Sequence, residues 1–154
     1  MDLNFQRECK FILIFNFQTP KEMEGQLNFG VHLTIDGYGG DEEKLNDKEL
    51  VRKSLGELAK IMEMNALCDP QVYFAEPNHI KDPGGWSGFI LIAESHITIH
   101  TFPKRGFLSA DVYTCKSTMD QEKALNFFKE KFDLKDLEVN FIKRGTKYPV
   151  ANIY

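Results

Sequence analysis

The chain of 154 residues has room for one domain with a short appendage. Hydrophobic residues make up 42% and charged residues 27%, enough to bury a real core, and the net charge of −4 excludes a basic field for nucleic acid or anionic lipid. Cys9, Cys68 and Cys115 are widely spaced and form no CxxC, which argues against a disulfide framework and for a reducing, cytoplasmic setting. The longest N-terminal apolar run, Phe11 to Phe15, is too short for a signal segment or a membrane span.

Phe11 to Phe17 reads as a buried strand, ended by Thr19-Pro20. It lies in an N-terminal extension, residues 1–28, for which we expect an extra strand or a dimer contact. Val31 to Asp36 alternates and is β-branched, the pattern of a strand, and Gly37, Gly39 and Gly40 break it. Asp47 to Asn65 carries Leu50, Leu55, Leu58 and Met62 at helical spacing, with Asn46 or Asp47 as cap. Val72 to Ala75 is a short strand leading into the loop PNHIKDPGG.

Gly88 to Ala93 is almost wholly apolar and fits a central strand. Ile97 to Thr101 and Leu108 to Thr114 are two more, split by a turn from Pro103 to Gly106, where Gly106 is expected to take a positive φ. Thr118 is expected to start a second helix, with Gln121 completing a capping box, and Ala124, Phe128 and Phe132 share one face. Leu137 to Lys143 is the last strand. The order implies an α+β fold of two similar halves, with helices on one face of an antiparallel sheet.

Between Glu94 and Cys115 (ESHITIHTFPKRGFLSADVYTC) the chain places a Ser, two His and a Cys in strand-like sequence. A serine is a weak nucleophile that needs a base or another activating group. Ser95 by itself is more often structural, and its neighbours are not the glycines of a hydrolase elbow. His96 and His100 do not make a metal pair, because four residues of strand span about 13 Å. Cys115 alone would read as a small buried hydrophobe, and His32 alone as a structural histidine.

Taken together, Glu94-Ser95-His96, His100-Thr101, Pro103, Gly106 and Asp111-x3-Cys115 resemble the active-site segment of the pyruvoyl-dependent S-adenosylmethionine decarboxylases, in their short bacterial and archaeal form. Gly30, His32, Leu33 and Asp36 fit the opening strand of that family, and Arg144-Gly145 its end, so the resembling domain is assigned to 29–154. The resemblance implies self-cleavage between Glu94 and Ser95, which turns Ser95 into a pyruvoyl group that forms a Schiff base with the substrate amine and serves as electron sink for loss of CO2. It implies that His100 is the processing base, a task suited to a neutral imidazole near pH 7, and that Ser87 assists. It implies that Cys115 returns a proton to carbon, as a thiol of ordinary pKa about 8.5 can at neutral pH. It also implies a homodimer pairing two sheets into an α/β/β/α sandwich.

Ser95 and His100 have opposite parity on an extended strand, so the Glu94–Ser95 step is expected to be a turn or bulge. The expected substrate-reading positions are Phe102, Lys104, Lys81 and Asp36. Lys104 stands where the resembling enzymes carry a glutamate that holds ribose hydroxyls, and Lys81 where they carry an aromatic ring. An ammonium 6 Å from a sulfonium repels it by roughly 3 kcal/mol at an effective dielectric of 20. Arginine or ornithine as substrate, or a non-catalytic partner-binding role, are the alternatives.

Overall fold

A computed structural model describes residues 28–148 except residue 79; the strand expected at 11–17 lies outside them. Among the described residues six strands form one sheet: β1 (Gly30–Tyr38), β2 (Gln71–Ala75), β3 (Gly85–Ile92), β4 (Ser95–Phe102), β5 (Phe107–Thr114) and β6 (Asp136–Arg144). Their order is β2-β3-β4-β5-β1-β6, and every neighbouring pair is antiparallel. The helices are α1 (Glu42–Leu45), α2 (Lys48–Ile61) and α3 (Gln121–Phe132). Helix α2 links β1 to β2 and α3 links β5 to β6, and the two helices lie on the same face of the sheet.

Alternation along the strands decides which face that is. Val31, Leu33 and Ile35 of β1, Ile97 and Ile99 of β4, and Leu108 and Val112 of β5 are fully buried. All of these but Val31 form one cluster with Val51, Leu55 and Leu58 of α2 and Phe128 and Phe132 of α3. Each such side chain contributes about 1.5–3 kcal/mol on burial. The Lys131–Glu57 ion pair ties α3 to α2.

Asp47 caps α2 as expected, but two other helix ends differ from those expected. Helix α2 stops at Ile61 because Glu63 turns to φ 53°, a left-handed conformation that ends a helix. Asp120, not Thr118, caps α3: its carboxylate accepts the Lys123 amide at 3.0 Å. Asp120 is the residue just outside the first helical position, where a side-chain oxygen reaches the free amides. Helix α1 was not expected; Asp41 caps it. Gly106 takes the positive φ, 55°, that the turn between β4 and β5 needs.

Among the described residues no helix lies on the other face of the sheet. Across it, direct strand partners form a polar row, Asp36–Ser109–His100–Ser87. A second row, nearer the β3–β4 turn, runs His32–Tyr113–His96–Leu91. Phe89, Leu91 and Ile142 are exposed on this face at 36, 45 and 47%.

Candidate active site

The chemistry gathers at the β3–β4 hairpin. Ala93 and Glu94 form its two-residue turn, so Ser95 is the first residue of β4. The Ala93 amide donates to the Asn65 carbonyl at 2.8 Å, and Leu67 donates to Leu91 at 2.8 Å, pinning the hairpin to the segment after α2. The turn stands beside Ser95, but the parity difference remains: Ser95 pairs with Ile92 in the register of buried Ile97 and Ile99, while His96, Thr98 and His100 point to the opposite face.

Strand β5 brings Cys115 to the same spot. His96 is opposite Tyr113, so two residues further along the ladder Cys115 comes opposite Glu94. The Cys115 thiol donates to the Glu94 carbonyl oxygen at 2.6 Å. The Ser95 hydroxyl lies against that same oxygen and 3.5 Å from Cys115 Sγ. Gly30 makes room beside this corner, since a Cβ there would sit 2.3 Å from the Thr114 carbonyl oxygen.

Ser87 and His100 are direct strand partners, and Ser87 Oγ lies 2.9 Å from His100 Nδ1. The protomer does not bring this pair to Ser95. Five residues of β4 separate Ser95 from His100, about 17 Å at the rise of a strand. Asp36 stands in the His100 row, two strands away.

Between the two clusters lies a network that sequence reasoning did not assemble. His32 Nε2 is 2.9 Å from Asp111 Oδ1, and Thr98 donates to Asp111 Oδ2 at 3.1 Å. The Tyr113 ring is flanked by His32 and His96, each at 5.6 Å, and by the Arg144 guanidinium at 4.5 Å. Burial, and then the neighbouring His32, lower the pKa of His96. Burial, and then Cys115, raise that of Tyr113, which keeps its phenol protonated beside the thiol. Only the strand register joins these residues, and a 79-residue separation hides the His32–Asp111 pair from the sequence.

The remaining expected positions sit at the far end of β4. Phe102 and Lys81 line a cavity of about 550 Å³ with Tyr38 and Phe107. Lys104 is exposed on the 3-10 turn Pro103–Arg105 and does not line the cavity; Arg105 does.

The family model for S-adenosylmethionine decarboxylase matches residues 31–145. The chain belongs to the S-adenosylmethionine decarboxylase family. It is 37% identical to an S-adenosylmethionine decarboxylase proenzyme of Pyrococcus furiosus over 116 residues, 75% of this chain and 78% of that one. It is also 37% identical to one from Clostridium tetani over 125 residues, 80% and 94% of the two chains. The crystal structure of the Aquifex aeolicus adenosylmethionine decarboxylase superposes with a TM-score of 0.66 at 29% identity, covering 77% of this chain and 92% of that one. The six-stranded antiparallel sheet with its helices is thus the family's α+β fold. Among the described residues no helix is long and apolar enough to cross a membrane.

Proposed function

We propose that this chain is a self-processing S-adenosylmethionine decarboxylase, supplying the decarboxylated nucleoside for polyamine synthesis. The observation that carries the reading is that the Ser95 hydroxyl and the Cys115 thiol converge on one atom, the Glu94 carbonyl oxygen. That is the carbonyl a serine must attack to cut the chain before itself. The Ser95 oxygen adds to the Glu94 carbonyl carbon, the Glu94–Ser95 C–N bond breaks, and the peptide becomes an ester. Cys115 stabilises the charge that develops on the carbonyl oxygen by donating to it.

Loss of the Ser95 Cα proton then expels the Glu94 carboxylate and leaves a dehydroalanine, whose imine form is hydrolysed by water to a pyruvoyl group at residue 95 with release of ammonia. The site suits that group: residue 95 begins a strand at the sheet's open end, with a thiol 3.5 Å from its side chain. Once formed, the pyruvoyl group supplies an electron sink for decarboxylation. Cys115 holds a proton next to it, and Tyr113 lies beside the thiol. The role requires Cys115 reduced, in keeping with a cytoplasmic setting; Cys115 and Cys68 are both free thiols.

The base for the Cα proton in this reading is His100, held by Ser87, and its distance of about 17 Å along the strand from Ser95 supports its acting from a second copy. The helix-free face, with its exposed Phe89, Leu91 and Ile142, supports pairing of two protomers sheet to sheet. A two-fold axis in the interface, running across the strands near Thr98, would lay Ser95 of one protomer over the partner's His100. Each site would then use Ser95, Glu94 and Cys115 from one copy and His100 and Ser87 from the other. Phe102 follows His100 by two residues on the same face, so it and the cavity would adjoin the completed site.

The test is CO2 release from carboxyl-labelled S-adenosylmethionine, arginine and ornithine by the purified protein. Release from S-adenosylmethionine is expected. Turnover confined to arginine or ornithine would overturn the substrate while leaving the pyruvoyl chemistry intact.

A further inference from the structure

The cavity of about 550 Å³ beyond His100 has aromatic walls, Tyr38, Phe102 and Phe107, and three charged groups, Lys81, Asp82 and Arg105. Its size and mixed lining suit a small ligand that pairs a planar ring with polar substituents. Lys81 and Arg105 can only donate hydrogen bonds, so Asp82 is the one carboxylate acceptor in the lining.

The loop holds Asp82 in a fixed pose. The Asn78 amide donates to the Asp82 carbonyl at 2.9 Å, and the Asp82 amide donates back to Asn78 Oδ1 at 3.2 Å. Asp82 Oδ1 accepts the Gly84 amide at 2.8 Å. Asp82 Oδ2 has no hydrogen-bond partner among the described residues. A carboxylate with one oxygen anchored and one free is placed to accept from a hydroxyl.

We infer that Asp82 is the specificity-determining residue of this enzyme, accepting hydrogen bonds from the ribose hydroxyls of the substrate while Phe102 and its aromatic neighbours hold the purine. The inference rests on the substrate proposed above. It places an acid in the lining beside Phe102: Lys104 stays outside the cavity, and the Asp82 charge offsets one of the two cations, Lys81 and Arg105, inside it. Arginine and ornithine would fill neither the aromatic walls nor the diol acceptor.

The test is calorimetric titration of the full-length protein with adenosine and with 2′,3′-dideoxyadenosine, for wild type, Asp82→Asn and Asp82→Glu. Wild type should prefer adenosine at least tenfold. Asp82→Asn keeps an oxygen for the Gly84 amide, so the loop survives, but it should bind the two ligands about equally. Asp82→Glu should recover part of the preference. The KM for S-adenosylmethionine should rise at least tenfold in Asp82→Asn with little change in kcat. No preference in wild type, or full preference kept by Asp82→Asn, would overturn the inference. A wild-type preference for adenosine without CO2 release would sink the decarboxylase reading and leave the Asp82 assignment standing.

Discussion

Cys115 Sγ stands 2.6 Å from the carbonyl oxygen of Glu94, across the ladder between β4 and β5. In the proposed reaction one thiol therefore touches the bond to be cut and flanks the group that the cut would create. Replacing it should affect both steps unequally. Cys115→Ala should still cleave, about tenfold to a hundredfold more slowly, since one of the donors to the oxyanion is gone. Its decarboxylation should fall by a larger factor. Gel densitometry against time, with CO2 release from the fully cleaved variant, measures both. Normal turnover by cleaved Cys115→Ala protein would remove the thiol from the reaction.

The proposed sharing of the site between copies gives a complementation test. Ser95→Ala alone and His100→Ala alone should process poorly or not at all. A mixed dimer of the two joins an intact Ser95 to the partner's intact His100 at one of its two sites. Every His100→Ala chain in such dimers should therefore be cut, and no Ser95→Ala chain. If both residues had to come from one chain, mixing would rescue nothing. In His100→Ala homodimers the chain should stall at the ester, where hydroxylamine releases the fragments.

His96 gives a pH dependence with a definite sign. Its pKa is lowered in the fold, first by burial and then by His32, while Asp111 opposes the shift and Arg144 adds to it. The unfolded chain therefore binds more protons than the folded one as pH falls below the ordinary histidine value of about 6.5. Stability should be flat above pH 7 and decline from pH 6.5 downward, until the folded-state value is passed. His96→Gln should flatten that decline, as read by Tm against pH. An unchanged slope would show that other groups carry it.

Lys104→Glu should change the KM for S-adenosylmethionine by less than about threefold. Its side chain is exposed and lies off the cavity that Phe102 and Lys81 line. A tenfold improvement would mean that the turn Pro103–Arg105 faces the substrate after all.

The sequence carried the fold wherever one face of an element was strictly apolar. Alternation in Val31–Asp36 and Leu108–Thr114, and the helical spacing of Leu55 and Leu58, reported burial that the structure contains. Helix ends were less legible, because the left-handed Glu63 and the Asp120 cap depend on single backbone angles and one side-chain bond. The local block Glu94-Ser95 with Cys115 was legible through motif, and the structure joins these residues at one carbonyl. The sequence showed the opposite parity of Ser95 and His100, while their separation along one continuous strand and the pairing of Ser87 with His100 came from the register. Asp82, Arg105 and the His32–Asp111 pair gather through long-range pairing and loop shape, which no spacing rule encodes.

The central claim is that the chain cuts itself before Ser95, and intact mass spectrometry of the purified protein tests it most directly. The account predicts two fragments, 1–94 and 95–154. The second should start with a pyruvoyl group, lack a free amine and resist stepwise N-terminal sequencing, while Ser95→Ala remains a single chain. A wild-type chain that keeps its full mass under every condition, with an ordinary serine at position 95, would contradict it.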